Sequence, residues 1–166
     1  SLKVLNAFKK HRLSEIHLST TTGYGYDDLG RDTCEKIFAE VLGFEDALVR
    51  NQFISGTHAI TVTLFGLLRP GDTMLAITGK PYDTLEEVIG IRKSKGSLAE
   101  YGITYRQVDL LEDGTFDYEN IRKAINEKTK LVTIQRSKGY AMRPTFSVKQ
   151  IGELISFVKS IKPDVI

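Results

Sequence analysis

Apolar residues fall along this chain in two rhythms, first helical and then alternating. Leu2, Leu5, Phe8 and Leu13 recur at helical spacing with Lys and Arg between them, which predicts an amphipathic helix over residues 2–16. Ile37, Phe38, Val41 and Leu42 give a second helix over 32–42, with Gly43 as its stop. From residue 46 short apolar runs alternate with helical stretches. The runs at 46–51, 73–78, 104–110 and 130–135 read as strands. Residues 57–68, 83 or 84 to 89, 118–127 and 148–161 read as helices, with a helical turn near 97–101. That alternation predicts an α/β fold, a partial and mostly parallel sheet with helical crossovers, preceded by a helical arm.

Parallel sheets of this kind bind ligands beyond the carboxyl ends of their strands, which brings residues 53–57, 79–84 and 136–143 to one edge. The pattern turns from strand-like to helical at Phe53-Ile54-Ser55-Gly56-Thr57-His58-Ala59-Ile60. A helix start there leaves backbone N–H groups without intrahelical partners and carries partial positive charge, and Gly56 lets an anion approach closely. The same step also reads as Ser55 capping a core helix with no ligand. Between the first two helices, residues 19–31 hold hydroxyl residues, glycines, Tyr24, Tyr26 and Arg31, a loop or extended arm that is either a surface connection or functional.

Composition narrows the function classes. A chain of 166 residues with 41% hydrophobic and 27% charged residues is an ordinary soluble globular unit. Its formal charge of +2, with Lys and Arg mixed among Asp and Glu, argues against nucleic acid or an acidic membrane as partner. No apolar run approaches a membrane span of about 20 residues, and Cys34 has no companion for a disulfide, so a cytoplasmic setting is expected. His11, His17 and His58 lie far apart without partners at ligand spacing, and no metal site is expected; His58 either touches a ligand or is structural. Ser1 in place of Met points to a trimmed or processed chain, and Lys162-Pro163-Asp164-Val165-Ile166 reads as a turn leading into a further strand, so the sequence is expected to be the front portion of a longer one.

Four stretches in order, Ser55-Gly56-Thr57-His58-Ala59-Ile60, Leu67-Leu68-Arg69-Pro70-Gly71-Asp72, Gly79-Lys80-Pro81-Tyr82-Asp83-Thr84-Leu85-Glu86-Glu87 and Gln135-Arg136-Ser137-Lys138-Gly139-Tyr140, carry a resemblance. Together they resemble the fold-type I enzymes that use pyridoxal phosphate, in particular the cystathionine and methionine lyases and their aluminium-resistance branch. The resemblance implies N-terminal helices and an arm at 1–45, then the first part of an aminotransferase-like pyridoxal-phosphate-binding domain at 46–166, truncated at its C-terminal end. It implies that the backbone N–H groups of Gly56 and Thr57 hold the cofactor phosphate with Ser55 nearby. Tyr82 would stack on the pyridine ring and assist proton transfer at the leaving group. In these lyases an arm from a neighbouring subunit brings a Tyr and an Arg to the phosphate. Tyr26 and Arg31 are the candidates here, at a different spacing, and they imply at least a homodimer. Arg136, Ser137 and Tyr140 form a loop on the substrate side.

In such enzymes a lysine binds the cofactor covalently and a carboxylate keeps the pyridine nitrogen protonated, and both follow the region matched here. Lys80 and Lys138 match neither position. The expectation is the N-terminal portion of a carbon–sulfur lyase acting on a small sulfur-containing amino acid, inactive as this chain alone. The residues also admit a non-catalytic phosphate- or nucleotide-binding α/β domain, or an interaction fragment with no ligand.

Overall fold

The computed structural model describes residues 1–21, 28–139 and 141–166. The chain divides into two compact units, Ser1–Gly56 and Thr57–Ile166.

In the first unit, helix α1 (Leu2–Lys10) ends earlier than its apolar spacing predicts, because Arg12 adopts φ 52° and turns the chain; a short 3-10 turn follows at Glu15–Leu18. Helix α2 (Leu29–Leu42) starts three residues before the predicted 32, since Asp28 supplies the cap by accepting from the Arg31 N–H at 3.0 Å. Gly43 ends it in the left-handed conformation, as its position predicts. The N-terminus of α2 packs tightly on the preceding turn: a Cβ at Gly30 would lie 2.3 Å from the His17 carbonyl oxygen. His11 and Lys10 both reach Glu40, at 2.7 and 3.1 Å, tying α1 to α2; the Lys10 ammonium, with His11, holds the Glu40 carboxyl below its usual range.

The strand expected at 46–51 does not form. Its N–H groups find side chains rather than a ladder: the Val49 N–H donates to the buried Glu35 carboxylate at 3.0 Å, and Arg50 grips the same group through Nε at 2.5 Å and Nη2 at 2.9 Å. A β-type composition makes a strand only where a neighbouring strand offers partners. No described residue pairs with this segment in a sheet.

Helix α3 (Gly56–Leu67) leads into the second unit, which is built on a three-stranded parallel sheet ordered β2 (Thr104–Gln107), β1 (Thr73–Ala76), β3 (Thr129–Thr133). Every residue of β1 is buried, as befits a central strand covered on both faces. Met74 joins Leu64, Leu68, Leu85, Ile89 and Leu131 on one side, where α3 and the short helix α4 (Glu86–Ile89) pack. Leu75 joins Phe116, Ile121, Phe146, Leu154 and Val158 on the other, beneath α5 (Tyr118–Ala124) and α6 (Val148–Ile161). Helix α6 has the predicted bounds, with a reciprocal Ser147–Gln150 capping box at its start. Helix α5 is shorter than the predicted 118–127, because Asn126 turns the chain by accepting from the Lys128 N–H at 2.9 Å. At 97–101 the expected helical turn is present as a single turn, closed by Tyr101 N–H to Ser97 carbonyl at 3.0 Å. Ile166 bonds along β3, donating to Lys130 at 3.0 Å and accepting from Val132 at 2.8 Å, so the chain runs into a fourth position of the sheet.

Candidate functional site

The carboxyl ends of β1 and β3 open into two loops that lean on each other. After β1 the chain runs through Ile77 and Thr78 to Gly79, which adopts φ 83° and donates its N–H to Val108 at 3.0 Å. Pro81 and Tyr82 then lead into a 3-10 turn at Asp83–Leu85, with the Leu85 N–H donating to the Tyr82 carbonyl at 2.9 Å. After β3 the chain continues through Ile134 to Gln135, whose N–H donates to Thr78 Oγ1 at 2.9 Å. Gln135 also crosses to the first loop, its Oε1 accepting from the Tyr82 N–H at 3.1 Å.

Tyr82 is 37% exposed, with one edge of its ring against the second loop. A Cβ on Gly139 would lie 3.0 Å from Tyr82 Cε1, so the backbone there touches the ring directly. Beside the ring is a cavity of about 180 Å³ whose walls are largely apolar, including Ile60 and Leu64 of α3, Met74, Leu85 and Ile134, with Thr78 and Gln135 as polar members. Thr57, in the first turn of α3, reaches this loop by donating from Oγ1 to Thr84 Oγ1 at 3.2 Å. The structure therefore brings together Thr57, Tyr82 and the 136–139 loop; the strand-end reasoning holds for the loops after β1 and β3, whereas Thr57 arrives from the first turn of α3 and not from the end of the expected strand at 46–51.

Ser55 and Gly56 are exposed at the start of α3, and among the described residues nothing beyond the chain neighbours and the helix's own backbone lies within 4 Å of where a Gly56 Cβ would stand. Arg31 lies in the first turn of α2 rather than in the expected arm, with Nε on Asp32 at 3.0 Å. It lines an open cleft of the first unit with His17, Asp28 and Arg50. Tyr24, Tyr26 and Tyr140 lie outside the described residues. Ser137 is bound mainly through its carbonyl, which accepts from Gln135 Nε2 at 3.1 Å and from Arg143 Nη2 at 3.0 Å. Arg136 donates from Nε to the Phe146 carbonyl at 3.3 Å.

Lys80 is held by Glu86 at 2.7 Å, and Lys138 is exposed on the second loop. Among the described residues no group of His, Cys, Asp or Glu is placed to hold a metal ion, and no helix is long and apolar enough to cross a membrane. Thr78, Gln135 and Arg143 received no role from the sequence, and Thr84 only that of a candidate helix cap. Gln135 and Arg143 join residues up to 57 positions apart, and only a polar residue directly after the apolar run of β3 hinted at the first of them.

The family described as methionine gamma-lyase matches residues 1–166. The chain is 56% identical over 166 residues to the uncharacterized protein YnbB of Bacillus subtilis (strain 168), covering 99% of this chain and 39% of that protein. A Listeria innocua structure, described as a candidate cystathionine beta-lyase involved in aluminum resistance, superposes with a TM-score of 0.96 at 54% identity, covering 99% of this chain and 41% of the other. A Clostridium novyi structure, described as a carbon-sulfur lyase involved in aluminum resistance, gives a TM-score of 0.94 at 48% identity, covering 99% and 40%. The chain thus spans about two fifths of the length of these relatives.

Proposed function

Because this chain belongs to the methionine gamma-lyase family, we propose that it is the N-terminal portion of a pyridoxal-phosphate-dependent lyase that cleaves a carbon–sulfur bond of a small sulfur-containing amino acid. The cystathionine β- or γ-lyases are the activities it most resembles, and relatives described as lyases support the class. The observation that carries this reading is the start of α3, where Gly56 leaves open the space a side chain would fill, at the N-terminus of a helix of 12 residues. That space, the Thr57 and Thr84 hydroxyls and a partly exposed Tyr82 ring fit a flat heterocycle carrying a phosphate.

The backbone N–H groups of Gly56 and Thr57 hold the phosphate, with the Ser55 hydroxyl nearby, and the ring of Tyr82 offers an aromatic face to the heterocycle. When bound, that heterocycle supplies an electron sink for the charge left when the substrate's α-proton is removed. Tyr82 Oη moves a proton to the departing sulfur, and Arg136, Ser137 and Tyr140 border the substrate. Tyr26 and Arg31 reach the phosphate of a neighbouring subunit, so the complete protein is at least a homodimer. Covalent attachment falls to a lysine outside residues 1–166, and these residues alone do not catalyse. The setting is cytoplasmic.

The test uses the full-length protein. Gly56→Val should weaken pyridoxal phosphate binding strongly while leaving cofactor-free thermal unfolding nearly unchanged, since among the described residues no atom beyond its chain neighbours and the helix's own backbone lies within 4 Å of the added Cβ. Ser55→Ala should be milder on affinity and cost about 0.5–2 kcal/mol of stability if it caps α3. Unchanged affinity in a folded Gly56→Val variant would remove the reading and leave a helix start of ordinary kind. Borohydride reduction followed by mass spectrometry should place the cofactor on a lysine outside residues 1–166; an adduct on Lys80 or Lys138 would overturn that assignment.

A further inference from the structure

We propose that Gln135 is a positioning residue that sets the place of Tyr82 and locks the 136–139 loop against its ring, with Arg143 fastening the loop from behind. The proposal rests on the reading of Tyr82 as a cofactor-facing ring. Both ends of the Gln135 amide are used, in a sense fixed by their partners. Its oxygen can only accept from the Tyr82 N–H, at 3.1 Å, and its nitrogen can only donate to the Ser137 carbonyl, at 3.1 Å. Its own N–H is anchored to Thr78 Oγ1 at 2.9 Å, where Thr78 is buried to 7% exposure. One side chain therefore spans the ends of β1 and β3.

Arg143 completes the lock. Its Nη2 donates to the carbonyls of Gln135 and Ser137, each at 3.0 Å, its Nη1 donates to Pro144 at 3.0 Å, and its guanidinium lies 4.2 Å from the Phe146 ring centroid. A guanidinium so committed to carbonyls and a ring is a fastener rather than a receptor for a substrate carboxylate. With the loop held, Gly139 at φ 55° is pressed edge-on to Tyr82. Tyr82 then has its backbone tied on one side and its ring braced on the other, which fixes an aromatic face at the cavity mouth before any ligand arrives.

Three variants of the full-length protein test this, with Tyr82→Ala as calibrator. Gln135→Met keeps the length and loses both bonds; Gln135→Glu keeps the acceptor for Tyr82 and loses the donor to Ser137. Gln135→Met should weaken pyridoxal phosphate about five- to tenfold, the loss of one or two hydrogen bonds' net worth, and reduce the visible circular dichroism of the bound cofactor. Gln135→Glu should keep more of both. Adding Gln135→Met to Tyr82→Ala should cost little further, because the residue acts through that ring. Hydrogen exchange without cofactor should show the Tyr82 amide protected in the native protein and fast in Gln135→Met, a readout independent of the cofactor. Native affinity, dichroism and amide protection in a folded Gln135→Met variant, or in Gln135→Glu if the first fails to fold, would overturn the proposal. If Tyr82→Ala itself leaves affinity unchanged, the cofactor reading of Tyr82 fails, and the role of Gln135 toward the cofactor is overturned with it.

Discussion

Gly56 and Gly139 are glycine for different physical reasons, and substitution separates them. At Gly56 no described residue meets an added Cβ within 4 Å, so under the proposed cofactor reading what a side chain would obstruct is the ligand; at Gly139 both the φ of 55° and the contact with Tyr82 stand against any side chain in the folded protein itself. Gly139→Ala should therefore cost about 1–2 kcal/mol in unfolding of the full-length protein and displace Tyr82, where Gly56→Val costs affinity alone. Glu35 poses the opposite problem, a carboxylate only 11% exposed at its side chain and facing an Arg50 that is 30% exposed. Glu35→Ala leaves that guanidinium and the Val49 N–H without their acceptor, and a loss of about 3 kcal/mol is expected, at the low end for a buried pair because Arg50 still meets water. Glu35→Gln, which keeps an acceptor, should lose less in the same urea titration. The Ser55-Gly56 step and Tyr82 were legible in the sequence because a helix start and a strand end are written in adjacent residues. Gln135 and Glu35 were not, since each acts on a partner brought close by folding, 53 positions away for Gln135 and 14 or 15 for Glu35.

Among the elements, the strands read at 73–78, 104–110 and 130–135 formed as β1, β2 and β3 because each found a parallel neighbour, and the one read at 46–51 did not. Helix α6 has its capping box and α2 its Gly43 stop within the sequence itself, while residues 46–51 have strand composition and no ladder to join. The caps also make stability depend on acid. Asp28 accepts from the Arg31 N–H and the Thr21 hydroxyl, and Asp117 from the Asn120 N–H and its amide; these bonds favour the ionised forms and hold both carboxyls below their ordinary 3.8. A group with a lowered folded value stabilises fully above its unfolded value, and that contribution is lost as pH falls through the folded one. Thermal unfolding followed from about pH 5 to pH 2 should thus show stability declining below about pH 4. Asp28→Asn with Asp117→Asn, which can still cap but cannot titrate, should flatten the decline. A slope unchanged by the pair would place the acid sensitivity elsewhere. Ser147→Ala should cost about 1 kcal/mol at any pH, since the α6 cap carries no charge.

For the molecule as a whole, the first unit leaves an unusual amount of apolar surface to water: Leu2 is 73% exposed, Ile16 63%, Leu18 79%, Phe44 64% and Ile54 84%. Met142 and Val148 of the second unit are exposed as well, and only where such side chains adjoin do they mark a surface covered in a larger assembly. The chain spans about two fifths of its relatives' length, so the rest of the same polypeptide and a second subunit are the two covers to be tested. The proposed homodimer makes a specific claim about which. Ile16 and Leu18 lie in the 3-10 turn that precedes Tyr26 and Arg31 in sequence, with Arg31 itself in the first turn of α2, so a neighbouring subunit that meets Tyr26 and Arg31 would be expected to meet these side chains as well. Leu18→Asp in the full-length protein should therefore raise the monomer fraction in sedimentation equilibrium at micromolar concentration, and monomers so formed should retain pyridoxal phosphate less well than the native protein. Coverage by the same polypeptide would instead give a less stable fold with unchanged association. A native protein that sediments as a fully active monomer at that concentration would remove the intersubunit role of Tyr26 and Arg31 altogether.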